Sequence, residues 1–310
     1  MCTHSVIPLC SPKQARLPTA IALGSFDGLH AGHRKVINEI TNDDTAISTV
    51  VSFWPHPREV LYGETRLRLD LPSEKTELLK PLGVKQLVLI PFNKELASLT
   101  SDAFVNKVLL KTLHARRIAV GANFQFGRNR EGNANTLKQL GESHGVEVSI
   151  IPIYEDKSGR MSSSRIRSAL STGDLDTAKS LMGRPYCFKG NVVKGRGIGK
   201  KIGWPTANLE VDGRKFLPGV GVYSVWVQIN NKDDKIPAVM NLGPQPTVDP
   251  NSPSALEVHL LNKEIDLQGC ELKVEPVKRI RGQKRFNSLE ELSSQIGLDA
   301  EMARKSLAIN

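Results

Sequence analysis

The chain has 310 residues, of which 39% are apolar and 24% are charged, a composition typical of a globular protein whose length favours two domains. No apolar run approaches the roughly 20 residues of a membrane-spanning helix, and Met1–Pro18 lacks the regions of a secretory signal. The net charge of +10 is spread along the chain, which favours an anionic small molecule such as a nucleotide over a nucleic acid as ligand.

The cysteine pattern indicates the redox compartment. The four cysteines lie far apart and form no Cys-x-x-Cys pair, at Cys2, Cys10, Cys187 and Cys270. This spacing predicts free thiols in a reducing cytosol rather than a disulfide framework or a zinc site. We therefore expect a cytoplasmic protein, monomeric or weakly homo-oligomeric, with no membrane or nucleic-acid partner.

Apolar runs alternate with amphipathic segments in the first half of the chain. The apolar runs predict buried strands at Ala20–Leu23, Ala46–Phe53, Gln86–Ile90, Arg117–Gly121 and Val146–Ile153. The amphipathic segments predict helices at His33–Ile40, Ser73–Leu82, Asp102–Leu113 and Asn135–His144. This alternation predicts an α/β fold with a doubly wound parallel sheet, whose ligand site lies beyond the carboxyl ends of the strands.

A glycine-rich segment, Gly24–His33, joins the first predicted strand to the first predicted helix. Its glycines permit a sharp turn, and the start of the helix offers unpaired N–H groups and the positive end of a dipole to a phosphate. His30 and His33 share a helix face and could donate hydrogen bonds to phosphate oxygens. The alternatives are a solvated helix start and a metal site, although no third ligand accompanies the pair.

A second polar segment, Ser162–Arg167, opens a short helix that runs to Leu170. Its serines can cap the helix and bind phosphate oxygens, and Arg167 would add a charge-assisted hydrogen bond. On its own, a serine cap before a basic helix is common. A further helix is predicted at Leu175–Met182, which ends at Gly183.

The periodicity then changes, and we place a boundary between a domain of residues 1–184 and a domain of residues 185–310. Short β-rich runs separated by turn residues are found at Val192-Val193, Gly221–Ile229, Pro237–Met240, Leu256–Leu261 and Leu272–Ile280. With no intervening helices, they predict a small antiparallel β-barrel. Ser288 and Glu291 form a capping box, which predicts a C-terminal helix from about Leu289.

Two features between the predicted barrel strands could carry nucleotide chemistry. The segment Gly195–Gly203 is glycine-rich and basic but is not a Walker A loop, and taken alone it is most simply a flexible loop. In the following segment, Thr206 and Asn208 lie two apart on an extended chain, so their side chains point the same way. Their oxygens would suit Mg²⁺ completed by phosphates and water, whereas the alternative is an ordinary turn after Pro205.

The run Leu256–Leu260 alternates between apolar and polar residues. Glu257 and His259 therefore face one side of a predicted strand. A carboxylate beside a metal site could accept the proton of an attacking alcohol. The alternative is a polar stripe on the outside of a half-exposed strand.

Several of these motifs together resemble a known family. Gly24–His33 resembles the G-x-F-D-x-x-H-x-G-H signature of the nucleotidyltransferase superfamily, and Ser162–Arg167 resembles its second motif, I-S-S-[ST]-x-x-R, with Met161 in place of Ile. The stretches Phe53–Pro57 and Gly121–Gly127 narrow the resemblance to the adenylyltransferase module of prokaryotic bifunctional riboflavin kinase/FAD synthetase. This resemblance implies the reaction of FMN and ATP to FAD and pyrophosphate.

The resemblance also implies site residues for this first module. No protein nucleophile is required, so the site would align the substrates and stabilise charge. Asn123, where family members carry Asp or Asn, would contact the flavin. The nucleotide and its phosphates would be bound by Gly24, Phe26, Asp27, His30, Gly32, His33, Ser163, Ser164 and Arg167.

The second half resembles the riboflavin kinase module of the same family, which converts riboflavin and ATP to FMN and ADP. The resembling segments, in order, are the glycine-rich loop, Pro205–Asn208, Asn241–Thr247 and Glu257–Leu260. The resemblance implies that Glu257 is the general base on the ribityl 5′-hydroxyl. It also implies that Thr206 and Asn208 bind Mg²⁺–ATP, with Gly195, Gly199 and Lys200 near the phosphates.

Two positions depart from the family pattern. Gln268 replaces a tyrosine, and Gln283 stands where an acidic residue is usual; both lie towards the flavin side. Our leading hypothesis is a bifunctional enzyme that acts on riboflavin, FMN and ATP with Mg²⁺. The alternatives are an enzyme that retains one of the two activities and a flavin-sensing RNA-binding protein, although no aromatic platform accompanies the basic clusters.

Overall fold

The structure, a computed structural model, describes residues 6–41, 45–195, 198–243, 255–263 and 265–309. It divides into two compact units, residues 1–163 and residues 164–310, and each is described by itself below. None of the helices in the described part of the chain combines the length and apolar character that crossing a bilayer requires.

The first unit is built on a six-stranded sheet. Its strands, in chain order, are β1 Leu9–Cys10, β2 Thr19–Leu23, β3 Ile47–Trp54, β4 Gln86–Pro91, β5 Ala115–Gly121, β6 Gln125–Phe126, β7 Gly132–Asn133, β8 Glu147–Ile151, β9 Glu155–Asp156 and β10 Gly159–Arg160. The sheet has the order β1-β4-β3-β2-β5-β8, and every pair in it is parallel. Two small antiparallel ribbons, β6–β7 and β9–β10, lie outside it.

The helices of this unit connect successive strands. They are α1 Ala31–Asn38, α2 Pro57–Tyr62, α3 Pro72–Leu79, α4 Lys94–Ala97, α5 Ser101–Phe104 and α6 Ala134–Glu142, with 3₁₀ turns at Pro12–Gln14, Lys80–Leu82 and Arg128–Arg130. A π-helix, Val105–Thr112, continues α5. The four helices predicted from periodicity are confirmed with shifted ends, while α2 and α4 span fewer than two turns and show too little periodicity to be predicted.

Both faces of the sheet are buried, which confirms the doubly wound prediction. Along β2, Ile21 and Leu23 belong to one hydrophobic core, and Ala20 and Ala22 belong to another. Residues of α5, the π-helix and α6 complete the first core, and residues of α1 and α3 complete the second. Because both faces of β2 are covered, its sequence is a continuous apolar run and does not alternate between apolar and polar residues.

The strand order reverses next to β2. This strand pairs with β3 on one side and with β5 on the other, with Ala22 opposite Ala119. Loops that leave the carboxyl ends of β2 and β5 therefore run to opposite faces of the sheet and leave a crevice between them. The segments after these two strands are Gly24–His33 and Gly121–Gly127, so both motifs lie at this crevice.

The second unit is a closed antiparallel barrel with helices around it. Its strands are β11 Phe188–Val193, β12 Ala207–Glu210, β13 Gly221–Ile229, β14 Ile236–Gly243, β15 Ala255–Leu260 and β16 Glu271–Arg281. Its helices are α7 Ser163–Thr172, whose first residue falls in the first unit, α8 Leu175–Met182, α9 Ile198–Lys201 and α10 Leu289–Ser306. The barrel order is β11-β12-β15-β14-β13-β16, which confirms the predicted barrel and C-terminal helix.

Helix α10 covers part of the barrel's outer surface. Val222 and Val239, whose strand neighbours point into the barrel, pack outward against Ala300 and Ala303 of this helix. The expectation that no helix interrupts the strands is wrong at α9, a single turn between β11 and β12. A four-residue helix set among glycines has no periodicity from which it could have been predicted.

The capping prediction for α10 generates a stability test. The Ser288 hydroxyl accepts a hydrogen bond from the Glu291 N–H at 3.2 Å, while the Glu291 carboxylate accepts from the Asn287 N–H rather than from Ser288. Because Ser288→Ala removes the acceptor at the helix start, it should lower the free energy of unfolding by about 1 kcal/mol in urea titrations. The exposed mid-helix Ser294→Ala should be neutral or slightly stabilising. Equal losses in the two variants would contradict the cap.

Candidate active sites

The loop between β2 and α1 has an unusual backbone. Phe26, Gly28 and Leu29 have positive φ angles of 46°, 84° and 43°. Non-glycine residues rarely adopt such angles, which cost free energy and persist only where the surroundings enforce them. Phe26 and Leu29 are buried in the second core of the unit, so their side chains help to fix the loop.

Two buried carboxylates also fix this loop. Asp27 Oδ1 accepts hydrogen bonds from the N–H groups of Leu69 at 2.9 Å and Asp70 at 3.2 Å. In return, Asp70 Oδ2 accepts from the Gly28 N–H at 2.9 Å. The Asp27 backbone carbonyl accepts from the Ser163 hydroxyl at 2.8 Å, which joins the two nucleotidyltransferase motifs within the first unit. The described bonds of Asp27 thus hold the loop in place.

The two histidines form a stacked pair at the start of α1. Their ring centroids lie 3.7 Å apart with 21° between the planes, and the Phe26 ring meets His33 edge-on at 5.4 Å. His30 is the N-cap residue, and its Nδ1 accepts from the His33 N–H at 3.4 Å. A Cβ on Gly32 would lie 3.3 Å from the His30 ring, so glycine makes room for this arrangement.

Both imidazoles are neutral at pH 7. Burial, reinforced by the charges of Arg34 and Arg160, lowers the pKa of His30 to about 4. Burial also holds the pKa of His33 well below its ordinary range. Because His30 Nδ1 accepts a hydrogen bond, the proton of its neutral ring is on Nε2, which is therefore a donor. The Nδ1 atom of His33 is buried and has no hydrogen-bond partner among the described residues.

The predicted flavin residue lies on the other side of the crevice. Asn123 follows β5, is exposed, and places its Oδ1 3.2 Å from where a Cβ of Gly121 would be. Gly121 therefore allows the Asn123 side chain to fold back over the end of the strand. The structure thus brings the histidine loop and Asn123 to neighbouring strand ends of one sheet.

Ser164 and Arg167 are described with the second unit. Ser164 is exposed in the first turn of α7, and the Arg167 guanidinium lies over the Phe216 ring at 5.9 Å. Their contribution to a phosphate site stays a prediction.

The second candidate site lies on the outer face of the barrel. Asn208 on β12 is directly opposite Glu257 on β15, and Glu257 is in turn opposite Asn241 on β14. Their strand neighbours, such as Ala207 and Val258, are buried in the barrel. Side chains opposite each other on one face of an antiparallel pair have Cβ atoms about 5 Å apart. The sequence left two alternatives for Glu257, an outward-facing polar stripe and a carboxylate close to Asn208. The structure shows that Glu257 is both, because the outward face of β15 is the face on which Asn208 lies.

The glycine-rich loop packs against the predicted metal ligands. A Cβ on Gly195 would overlap with the Asn208 side-chain amide. A Cβ on Gly199 would overlap with the Trp204 backbone carbonyl oxygen and would lie 3.0 Å from Thr206 Oγ1. Gly195 therefore leaves space for the Asn208 side chain, and Gly199 allows the close approach of the backbone that leads to Thr206. Lys200, the next residue of α9, is exposed.

These residues suit magnesium better than a transition metal. Thr206 and Asn208 supply neutral oxygens, Asn208 lies opposite Glu257, and Mg²⁺ favours oxygen ligands that leave room for phosphates and water. Within the described ranges, no group of three His, Cys, Asp or Glu side chains could hold a metal ion.

Three residues that were noted in the sequence, but given no role in this site, have described contacts. His259 Nδ1 lies 2.7 Å from the Pro205 carbonyl oxygen, and its ring packs edge-on against Trp204 at 5.2 Å. Gln283, two residues after β16, donates from Nε2 to Asn241 Oδ1 on β14 at 2.7 Å, a long-range contact that no local pattern could reveal. Gln268 is exposed and donates its N–H to Asp266.

Two segments of the kinase resemblance fall partly outside the described residues. They are Arg196 and Gly197 of the glycine-rich loop, and Pro244–Thr247 of the segment that begins at Asn241.

Comparisons with known proteins agree in both halves of the chain. A family model for FAD synthetase matches residues 13–165, and one for riboflavin kinase matches residues 182–307. The bifunctional riboflavin kinase/FMN adenylyltransferase of Escherichia coli strain K12 is 35% identical over 289 residues, which cover 92% of this chain and 91% of the relative. The Bacillus subtilis strain 168 protein of the same description is 34% identical over 301 residues, covering 94% and 93%.

A solved structure is similar over nearly the whole chain. It is a protein from Streptococcus pneumoniae described as a macrolide-efflux protein, with a TM-score of 0.84 and 31% identity. The similarity covers 97% of this chain and 99% of that one, so the order of the two folds is shared.

The low pKa of His30 predicts how stability depends on pH. Between pH 6.5 and about 4 the unfolded chain binds a proton at this histidine and the folded chain does not, so stability should fall as the pH is lowered through this range. A single group with this difference contributes up to about 3 kcal/mol. Urea titrations across this range should show a shallower fall for His30→Asn than for the unaltered protein. The exposed His144→Asn should keep the original slope, and identical slopes in all three proteins would contradict the neutral, buried state of His30.

Proposed function

Because this chain belongs to the family of bifunctional riboflavin kinases/FMN adenylyltransferases, we propose that its barrel unit phosphorylates riboflavin and its parallel-sheet unit adenylylates the product. The enzyme converts riboflavin and ATP to FMN and ADP, and then FMN and ATP to FAD and pyrophosphate. Two alternatives, an enzyme with one retained activity and a flavin-sensing RNA-binding protein, are not favoured, because relatives described as bifunctional match 92% and 94% of the chain.

In adenylyl transfer, a phosphate oxygen of FMN attacks the α-phosphorus of ATP, and the bond to pyrophosphate breaks. No bond to the protein forms, so the site works by alignment and by stabilising the charge that develops on the phosphates. We assign the His30 Nε2–H, His33 and the start of α1 to these phosphates. The observation that supports this assignment is the stacked, neutral histidine pair at the start of a helix, beside the reversal of strand order.

The other residues of this unit complete the proposal. Asn123 would bind the flavin at the neighbouring strand end. The glycines at 24 and 32 would admit the nucleotide, and Phe26 and Asp27 would set the shape of the loop around it. Ser163, Ser164 and Arg167 would hold the departing pyrophosphate, which charge-assisted hydrogen bonds stabilise most strongly.

In phosphoryl transfer, the ribityl 5′-hydroxyl of riboflavin attacks the γ-phosphorus of ATP, and ADP leaves. We propose that Glu257 accepts the hydroxyl proton. Thr206 and Asn208 would hold Mg²⁺, which when bound neutralises phosphate charge. Gly195, Gly199 and Lys200 would surround the phosphates. The register that sets Asn208 directly opposite Glu257 is the observation that supports this assignment.

We further propose that the functional boundary lies between residues 184 and 185. The two family models leave a gap between residues 165 and 182, which ends three residues before this boundary. We also propose a cytoplasmic enzyme that is a monomer or a weak homo-oligomer and that has no nucleic-acid partner.

The two activities should be separable by single substitutions. Glu257→Gln should lower FMN formation by about 100-fold or more because it removes the proton acceptor, and should leave FAD formation from supplied FMN intact. His30→Ala should do the reverse, since it removes a donor to the phosphates. The measurement is a time course of riboflavin, FMN and FAD with ATP and Mg²⁺. A folded variant that loses both activities would contradict separate sites, and wild-type enzyme that stops at FMN would contradict the second activity.

The glycine contacts of the barrel site provide a further test. Gly195→Ala should displace the Asn208 side chain, and Gly199→Ala should displace the Trp204 carbonyl and with it Thr206. Both substitutions should lower riboflavin phosphorylation by about 10- to 100-fold, because small misplacements of reacting groups are costly. Gly213→Ala is the matched control, since its Cβ would meet nothing within 4 Å. Kinase assays with FAD formation as internal reference measure the effect. Equal rates in all three variants would contradict a role for the loop.

A further inference from the structure

Lys75 carries a buried charge that the mechanism above does not use. It lies on α3, its relative exposure is 7%, and its Nζ donates a hydrogen bond to the Ser25 carbonyl oxygen at 2.8 Å. Among the described residues, the Ser25 carbonyl oxygen is the hydrogen-bond acceptor of the Lys75 ammonium. Moving an ammonium out of water costs free energy unless its surroundings compensate. An apolar side chain would therefore fill this position with less loss of stability than a lysine. Its charge therefore calls for an explanation.

The pKa of Lys75 is lowered by burial, although the carboxylates around it favour its charged form. Burial lowers the pKa of Lys75, and the nearby carboxylates of Asp27, Asp70 and Glu74 oppose this shift, while Arg68 adds to it. Asp27 and Asp70 are the same carboxylates that hold the loop between β2 and α1 through backbone N–H groups. Lys75 adds the complementary bond, because it holds a backbone carbonyl of the loop.

The position of that carbonyl is significant. Ser25 directly precedes Phe26, the first of the residues with a positive φ angle. A hydrogen bond from a charged donor at this point fixes the peptide that enters the strained turn. The turn ends at His30, which caps α1 and stacks on His33, so the orientation of the first peptide affects where both imidazoles lie.

Lys75 is also close enough to influence His33 electrostatically. The pKa of His33 is lowered first by burial and then by His30, Lys75, Arg160 and Arg34. These charged and titratable groups come from α1, α3 and β10. Lys75 thus acts on the histidine pair in two ways, through the backbone of the loop and through its charge.

We propose that Lys75 is a positioning residue for adenylyl transfer: its ammonium fixes the Ser25 carbonyl and thereby holds the loop and the His30–His33 pair in the arrangement that receives the ATP phosphates. The inference rests on the proposed function of the first unit. Without the ammonium, the Ser25 carbonyl loses its buried donor, and the strained turn has one fewer bond to enforce it.

The test uses the full chain, because riboflavin phosphorylation serves as an internal reference for folding. Lys75→Met removes the charge and the hydrogen bond while keeping an unbranched side chain. We expect kcat for FAD formation to fall by about 10- to 100-fold, as for the loss of a buried hydrogen bond to a charged group, with KM for FMN and riboflavin phosphorylation within about twofold. Lys75→Arg, which keeps a charge and N–H donors, should recover part of the rate. The matched control Lys80→Met removes an exposed charge just after the same helix and should change neither activity.

A second readout separates positioning from a merely structural role. In ¹³C-histidine NMR titrations of the free protein, the pKa of His33 should be higher in Lys75→Met than in wild type, and unchanged in Lys80→Met. FAD formation within twofold of wild type in Lys75→Met would overturn the proposal. A parallel fall of both activities, or an unshifted His33, would overturn it too. If the wild-type protein forms no FAD at all, the proposed function itself fails. If Lys75→Met forms FAD at the wild-type rate while His30→Ala forms none, only the inference about Lys75 fails.

Discussion

The reciprocal hydrogen bonds of Asp27 and Asp70 are the interaction on which the first active site depends. They tie the loop after β2 to a segment more than forty residues away in sequence, and they do so with backbone N–H groups that would otherwise be buried without partners. The loop can therefore keep positive φ angles at Phe26 and Leu29. That geometry places His30 at the N-cap of α1, where burial lowers its pKa to about 4. The positions of the two histidines that we propose bind the phosphates thus depend on the anchors of the loop.

In the second candidate site, the relative positions of the polar residues are set in a different way. Its polar residues stand on neighbouring strands of a closed barrel, so hydrogen-bond register rather than loop anchoring sets their spacing. A shift of one residue in β15 would turn Glu257 into the barrel and replace it with an apolar neighbour. The buried residues that alternate with Asn208 and Glu257 make such a shift unfavourable. The packing of the barrel interior thus sets the strand register and, through it, the positions of Asn208 and Glu257 on the exterior.

Much of this could be predicted from the sequence because it follows from local periodicity. The runs of apolar residues around Ile21 and Val50 identify buried parallel strands, and the short β-rich runs after residue 185 identify the barrel. Register and burial could not be predicted in this way. Lys75 looks like a solvated residue on an amphipathic helix, and only the tertiary fold buries it under Ser25. The contact of Gln283 with Asn241 likewise joins residues 42 positions apart in the sequence, and no propensity encodes it.

Closure of the barrel has a consequence for how the protein behaves in a crowded solution. Each barrel strand is paired on both sides, so among the residues that the structure describes the barrel has no free backbone edge to which another chain could add a strand. The sheet of the first unit does end in edges, but β1 has only two residues, and at β8 Glu147 forms a 2.7 Å ion pair with Arg117. Short and charged edges are poor templates for intermolecular sheets. An enzyme built in this way resists aggregation through its strand pairing as well as through its positive charge.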